Sequence, residues 1–232
     1  MKHSSRPRIQ PRLEVLEDRC TPSTMTDFLN AWEAISTVPP PSANPALLSL
    51  LNSPVTQALL GAAAAPNGDT HTVAFHISGS GYAPQGLPEF PGGSGPHTAT
   101  GNATELGKYT GNGTFQLLSL DPTTLTGTFD GVFTFVAANG DQLAMNYGAV
   151  PGNPGQFALL PAGNGQFVAV FLAEFTPNSA LSTGRFTHAI GGGFEMLAVS
   201  APFSLASGVP GFSAPFAYSW AGEGSLVFSN GH

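Results

Sequence analysis

The chain is poor in the side chains that most recognisable chemistry uses. It has one cysteine among 232 residues, Cys20, so an internal disulfide and a CxxC redox or metal motif are both excluded. It has seven lysines and arginines, and beyond Arg19 the only two are Lys108 and Arg185. A nucleic-acid groove needs several cations to displace counterions. Nucleic-acid binding is therefore not expected, and anionic membrane surfaces are disfavoured on the same ground. Charged residues make up 9% of the chain, against roughly 25% in an ordinary soluble domain. No transmembrane segment is predicted, because the stretch Pro45–Ala65 is interrupted by Asn52, Ser53, Pro54 and Gln57, which makes it a poor membrane span. No GxSxG elbow, P-loop or GxGxxG fingerprint occurs in the sequence, so three common catalytic and cofactor signatures are missing. No cofactor and no metal site are predicted.

Against these absences stands a large apolar content. Hydrophobic residues are 41% of the chain, with 17 Phe, 29 Gly and 21 Pro. Low charge and many turn-formers alone would read as disorder, but this much apolar material calls for a packed core. The combination points to a loop-rich, all-β protein of net charge −7. The length suits one substantial β-domain with extensions.

From Asp69 onward the apolar pattern has period two. His71, Val73, Phe75 and Ile77 alternate with Thr72, Ala74, His76 and Ser78. Gly79–Pro96 is crowded with Gly, Pro and Ser and reads as a long loop or irregular edge. Asn139-Gly140 within Leu125–Val150 is the clearest hairpin signal, since both residues of a two-residue turn need positive φ. Such a turn sets Val136 opposite Leu143, Thr134 opposite Met145 and Val132 opposite Tyr147. Further strands are expected at Thr110–Leu120, Gly165–Thr176, Phe194–Ala201 and Phe216–Phe228, with turns or bulges at Asn112-Gly113 and Asn164-Gly165. Glycines 127, 131, 222 and 224 fall inside strands and suggest the bends by which a sheet curls shut. The expectation is a closed antiparallel β-barrel of about eight strands, with a β-sandwich as the rival.

In Gly165–Thr176, Phe167, Ala169, Phe171, Ala173 and Phe175 point one way, and Val168, Val170, Leu172 and Glu174 the other. A strand apolar on both faces has the barrel interior on one side and a cover on the other. The N-terminal segments or a second copy of the chain are the candidates for that cover. Phe133, Phe135, Phe167, Phe171, Phe175, Tyr218 and Trp220 are the candidates for lining a lumen.

Three segments follow from this reading: a tail over 1–24, a helical and Pro-rich linker over 25–68, and the barrel over 69–232. Two short helices are expected in the linker, Thr26–Ser36 and Pro45–Ala65, the second interrupted by Pro54. The first carries Phe28, Leu29, Trp32 and Ile35 on one face, the second a stripe of Leu47, Leu48, Leu51, Val55, Leu59 and Leu60. In the tail, Arg12-Leu13-Glu14-Val15-Leu16-Glu17-Asp18-Arg19 followed by Pro22-Ser23 resembles the RLEVLEDR-type motif at the N-terminus of many surface and secreted proteins of planctomycete bacteria. The resemblance implies export, secreted or to the cell envelope.

A second resemblance covers roughly 69–232. It rests on Ala103–Gly113, on Phe133–Asp141 with its Ala137-Ala138-Asn139-Gly140-Asp141 hairpin, on Ser182–Gly192 with Thr183-Gly184-Arg185-Phe186, and on the closing strand Phe216–Phe228. These pieces look like bacterial relatives of the allene oxide cyclase and dirigent barrels. The resemblance implies an eight-stranded, lipocalin-like barrel that often forms trimers. It assigns Arg185, Asn139 and Gly140 structural roles and transfers no catalytic residue.

The chemistry-bearing residues are scattered. His71 and His76, five apart on a strand, face opposite ways and cannot share a metal. His97 is placed in a loop, and His188 follows Arg185. Glu174, Glu195 and Glu223 each sit in an apolar strand. A carboxylate buried in a lumen would act as an acid or base, so Glu174 and Glu195, if inward, are the catalytic candidates. Pairing with Arg185 or Lys108, or exposure to solvent, is the alternative. The expected function is a barrel binding a small apolar ligand or a protein partner, and more a binder than an enzyme. A cyclase or isomerase acting on a hydrophobic molecule in the lumen and a structural, self-associating envelope protein are the alternatives.

Overall fold

The computed structural model describes residues 70–229, apart from 91, 150–152 and 206–212. The tail and both expected helices lie outside the described residues. Ten strands follow one another: β1 (Thr70–Ala83), β2 (Ser94–Ala103), β3 (Gly107–Asp121), β4 (Thr126–Ala137), β5 (Gln142–Tyr147), β6 (Gly155–Gly163), β7 (Gln166–Pro177), β8 (Ala189–Ser200), β9 (Phe203–Ser204) and β10 (Phe216–Ser229). A 3₁₀ turn, Gly184–His188, precedes β8.

All ten belong to one antiparallel sheet, and eight close a ring in the order β3-β2-β1-β10-β8-β7-β5-β4, with β3 pairing β4 to complete it. The all-β, closed fold expected from the period-two pattern is the observed one, and a sandwich of two sheets is not. The ring position between β4 and β7 is shared. Short β5 pairs β4 over 131–136 and β7 over 175–177. β6 pairs β4 over 126–129 and β7 over 166–172. Two short strands thus lie end to end where one long strand would be expected.

Strand alternation sorts the side chains into an inner core and an outer face. The inner core takes Phe75, Phe133, Phe135, Phe157, Phe175 and Phe194, each at most 1% exposed. Outer positions on β2 to β4 are mostly Thr, Asn and Ser, among them Thr98, Thr100, Thr110, Asn112 and Thr134. The buried outer positions on β6 to β8 are instead chiefly Leu and Val.

Several local expectations are corrected. The β4–β5 connection is a three-residue loop, Ala138–Gly140, not a two-residue turn. Gly140 N–H donates to Ala137 O at 2.9 Å and Ala137 N–H to Asp141 O at 2.9 Å, and only Gly140, at φ 91°, takes positive φ. The register therefore moves by one residue: Phe135 faces Leu143, Phe133 faces Met145 and Gly131 faces Tyr147. Burial decides this, because a one-residue slip would turn one strand's aromatic face outward. Asn164-Gly165 does form a tight turn, with φ of 51° and 73°.

The span Gly79–Pro96 is only partly loop, since β1 runs on to Ala83 and β2 begins at Ser94. Its glycines serve packing. A Cβ on Gly79 would meet the Tyr109 hydroxyl and the Trp220 ring nitrogen, and one on Gly81 the Tyr218 ring. Asn112-Gly113 lies inside β3, where Gly113 backs onto Phe133. Gly191–Gly193 belongs to β8. Glycines 127, 131, 222 and 224 likewise make room for rings, those of Phe157, Tyr147 and Phe194. The register shifts fall elsewhere, at Leu117/Ser119, Pro161/Gly163 and Val227/Phe228.

Candidate functional site

The lumen is largely filled by the side chains expected to line it. Phe133 and Phe135 of β4, Phe175 of β7, Phe194 of β8 and Trp220 of β10 meet at its middle. Phe175 stacks on Phe194 at 4.8 Å, Phe133 lies 4.7 Å from Phe135, and Trp220 stands edge-on to Phe133 at 5.1 Å. Aromatic pairs at these separations add about 0.5–1.5 kcal/mol each beyond their burial. One end of the ring, where β2 turns into β3, is stoppered by Leu106 and by Phe186 of the 3₁₀ turn, at 4% and 0% exposure. Outside this stopper Arg185 stacks over Phe186 at 4.9 Å and reaches Glu105 at 3.7 Å and Asp141 at 4.0 Å. Arg185 is half exposed, so these ion pairs are worth little.

Packing loosens toward the other end. A cavity of about 40 Å³ remains, bounded by Ala83, His97, Phe129, Phe171, Tyr147, Ala198, Tyr218 and Trp220 among others. One water needs roughly 10–15 Å³ on this measure, so about three water-sized groups fit. Leu87, in the β1–β2 loop, is 2% exposed at this end. Its N–H donates to Ser213 Oγ at 2.8 Å.

The polar centre of this end is His97. Its Nδ1 lies 2.8 Å from the Tyr218 hydroxyl and its Nε2 3.0 Å from the Tyr147 hydroxyl. Those hydroxyls also approach the backbone carbonyls of Thr98, at 3.0 Å, and Thr114, at 2.9 Å. Two phenols and a neutral imidazole hold three protons for four contacts, so one tyrosine must donate to the bare ring nitrogen and release its carbonyl. Only an imidazolium would satisfy all four contacts. Burial opposes that form and lowers the His97 pKa from 6.5 to about 4. Burial likewise raises the phenol pKa of both Tyr147 and Tyr218. The site is therefore neutral at pH 7: one imidazole clamped between two un-ionised phenols. Beside it, Trp220 Nε1 donates to the Tyr109 hydroxyl at 2.8 Å, which donates to Ser78 O at 3.1 Å. With both ring nitrogens engaged, His97 has no lone pair left for a metal.

The carboxylate candidates are not here. Glu174 and Glu195 share the outward parity of Leu172 and Leu197, while Phe175, Phe194 and Met196 hold the inward positions. Neither glutamate enters the lumen, which removes the lumen acid–base role from both. The register sets Glu174 opposite Glu195 and Glu195 opposite Glu223, a row of three acids across the outer face. Glu223 lies 3.9 Å from His76, and Glu174 accepts from Asn153 Nδ2 at 3.4 Å. Arg185 is engaged with Glu105 and Asp141, not with this row. Among the described residues, no three His, Cys, Asp or Glu side chains form a group that could hold a metal, and no helix is long and apolar enough to cross a membrane.

Of the lumen candidates, Phe171, Phe175, Tyr218 and Trp220 border the cavity, Phe133 and Phe135 form the plug, and Phe167 is only partly buried, paired with Phe203 of β9. His97 and Tyr147 were not among them. The signal for His97 was present: with Ser94–Ala103 as a strand, His97 shares its face with Ala99, Gly101 and Ala103. Glycine and proline in that stretch masked the alternation.

No family model matches the chain, and no curated protein and no solved structure matches it.

Proposed function

We propose that this is an exported or cell-surface barrel that binds a small apolar ligand, or the apolar end of a larger one, in the cavity beside His97. The observation that carries the reading is the cavity itself: the rest of the lumen is packed with rings, and the remaining space is walled mainly by the carbon of Phe, Ala, Met, Tyr and Trp side chains. Its size argues for a methyl, isopropyl or ring-sized group, since drug-sized ligands need roughly 300–1,000 Å³. The export part rests on the Arg12–Arg19 motif. By the resemblance of 69–232 to allene oxide cyclase and dirigent barrels, the barrel is proposed to assemble as a homo-oligomer, a trimer, which sedimentation velocity reads directly.

Trp220 makes the binding reading testable. In a Trp32→Phe background its fluorescence reports the cavity alone. Titration with benzene or a short alkane is expected to give a saturable change, and Ala198→Leu, which fills the space, is expected to abolish it. A response that never saturates, or one unchanged by Ala198→Leu, refutes the reading.

One observation favours a second reading, an isomerase-type enzyme. Tyr147 and Tyr218 are kept un-ionised as hydrogen-bond donors beside an apolar cavity, an arrangement that could steady developing negative charge on a bound substrate. Under it, Tyr147→Phe and Tyr218→Phe stop turnover of a hydrophobic substrate while leaving its binding intact. Loss of binding alone assigns the tyrosines to the pocket wall.

A further inference from the structure

The outer face of β6, β7 and β8 behaves as a second core. Leu160, Val168, Val170, Leu172, Leu197 and Val199 all point away from the lumen, yet each is between 1% and 7% exposed. Neighbours on one strand surface shield one another only from the side. The outward residue Val132 of β4, without an apolar neighbourhood, is 46% exposed. Among the described residues no element lies over the β6–β8 face, and Asn153 and Pro154 reach only its Glu174 edge. The burial exists within a single chain, so a second copy is not needed to produce it.

We infer that this face is the docking site for the chain's own segment Pro45–Ala65. Two independent features of the sequence fit it. Between Glu33 and Asp69 there is not one charged residue. Such a stretch needs an apolar partner, and among the described residues the β6–β8 face, uncharged across those six side chains, is the buried apolar cluster that lies outside the lumen. The stripe Leu47, Leu48, Leu51, Val55, Leu59 and Leu60 recurs at helical spacing, and supplies the matching ridge.

Reach agrees. The described chain begins at Thr70, and the near edge of the face is marked by Ala221, buried in the same cluster and opposite Ser78 in the register, with Val170, Val199 and Val168 beyond it. Eight residues of β1 separate that level from Thr70, about 27 Å at roughly 3.4 Å per residue. A helix over 45–65 would be about 31 Å long, and the four residues 66–69 add up to about 14 Å of connection. The stripe thus reaches the face without strain. The clustered cations further upstream, Arg12 and Arg19 among them, are the chain's main complement to the Glu174–Glu195–Glu223 row bordering the same face.

Paramagnetic relaxation on the full-length chain tests this. A nitroxide on Gln57→Cys, in a Cys20→Ser background, sits on the segment but off its apolar stripe. We expect at least a twofold loss of methyl signal for Val170, Leu172, Leu197 and Val199, and none for the outward Thr98 and Thr100 methyls of β2 on the opposite wall. Adding Leu48→Asp and Leu51→Asp is expected to restore the lost signal. Equal broadening on both walls, or no broadening, overturns the inference. Broadening that appears only when spin-labelled chains are mixed with isotope-labelled ones also overturns it, and assigns the face to a second copy.

Discussion

Acid should reveal His97 before it touches the rest of the molecule. In the unfolded chain this imidazole takes a proton near pH 6.5, whereas in the folded ring burial holds its pKa at about 4. Above pH 6.5 both states are neutral, and His97 adds no pH dependence. As pH falls from 6.5 toward 4 the unfolded state binds a proton that the folded state refuses, so stability declines. The gap of about two and a half pH units, at about 1.4 kcal/mol each, sets a ceiling of about 3.5 kcal/mol, of which about 2.5 is spent by pH 4.5. The assay is urea denaturation of wild type and His97→Gln at pH 7.5 and 4.5. Glutamine keeps a donor and an acceptor for the two phenols but takes no proton. Exposed groups, such as Asp121, whose carboxyl is held low by the Thr123 and Thr124 N–H groups, contribute equally to both proteins and cancel. The expected result is a loss about 2–3 kcal/mol larger in wild type. Parallel losses refute the reasoning. They would show that the fourth hydrogen bond gained by an imidazolium offsets its desolvation.

Other consequences are tested more simply. Phe135→Ala removes a ring at the centre of the plug and is expected to cost about 3–5 kcal/mol in the same urea assay. Gly131→Ala places a methyl against the Tyr147 ring and the Thr114 carbonyl, and is expected to cost about 1–3 kcal/mol through overpacking. Arg185→Ala, at a half-exposed cluster, is expected to cost under about 1 kcal/mol. Glu174→Gln, on the outer face, is expected to leave the Trp220 response to benzene unchanged, and an altered affinity would reopen a lumen role for that carboxylate.

The fold was legible because alternation is local. Phe133, Phe135, Phe167 to Phe175 and Phe216 to Phe228 each declare two faces without reference to any other strand, and the in-strand glycines declare tight curvature or tight packing. Register was not legible in the same way. Whether Val136 or Phe135 faces Leu143 depends on a single loop residue, and Asn-Gly serves two-residue and three-residue loops alike. The site was harder still. His97 was hidden in a stretch whose glycines and proline mimic a loop, because its real constraint, the rings of Tyr109, Tyr218 and Trp220 pressing on Gly79 and Gly81, comes from strands up to about 140 residues away in the sequence. The glutamates misled for the opposite reason. Their strands are apolar on both faces, so composition could not say which face is the inside.

The joint between β5 and β6 gives the wall a seam. Elsewhere around the ring each neighbouring pair of strands shares a single ladder, from the six residue pairs of β1 with β2 to the fourteen of β1 with β10. At the joint, Tyr147 ends one ladder and Gly155 begins the next, and Gly148 N–H to Glu174 O, at 3.1 Å, is the backbone bond that stitches β7 across the gap. Phe129 and Tyr147 stand on either side of that gap and also wall the cavity. Amide exchange among the described strands should therefore run fastest at Tyr147, Gly148 and Gly155, so the weakest stretch of the wall stands directly beside the cavity.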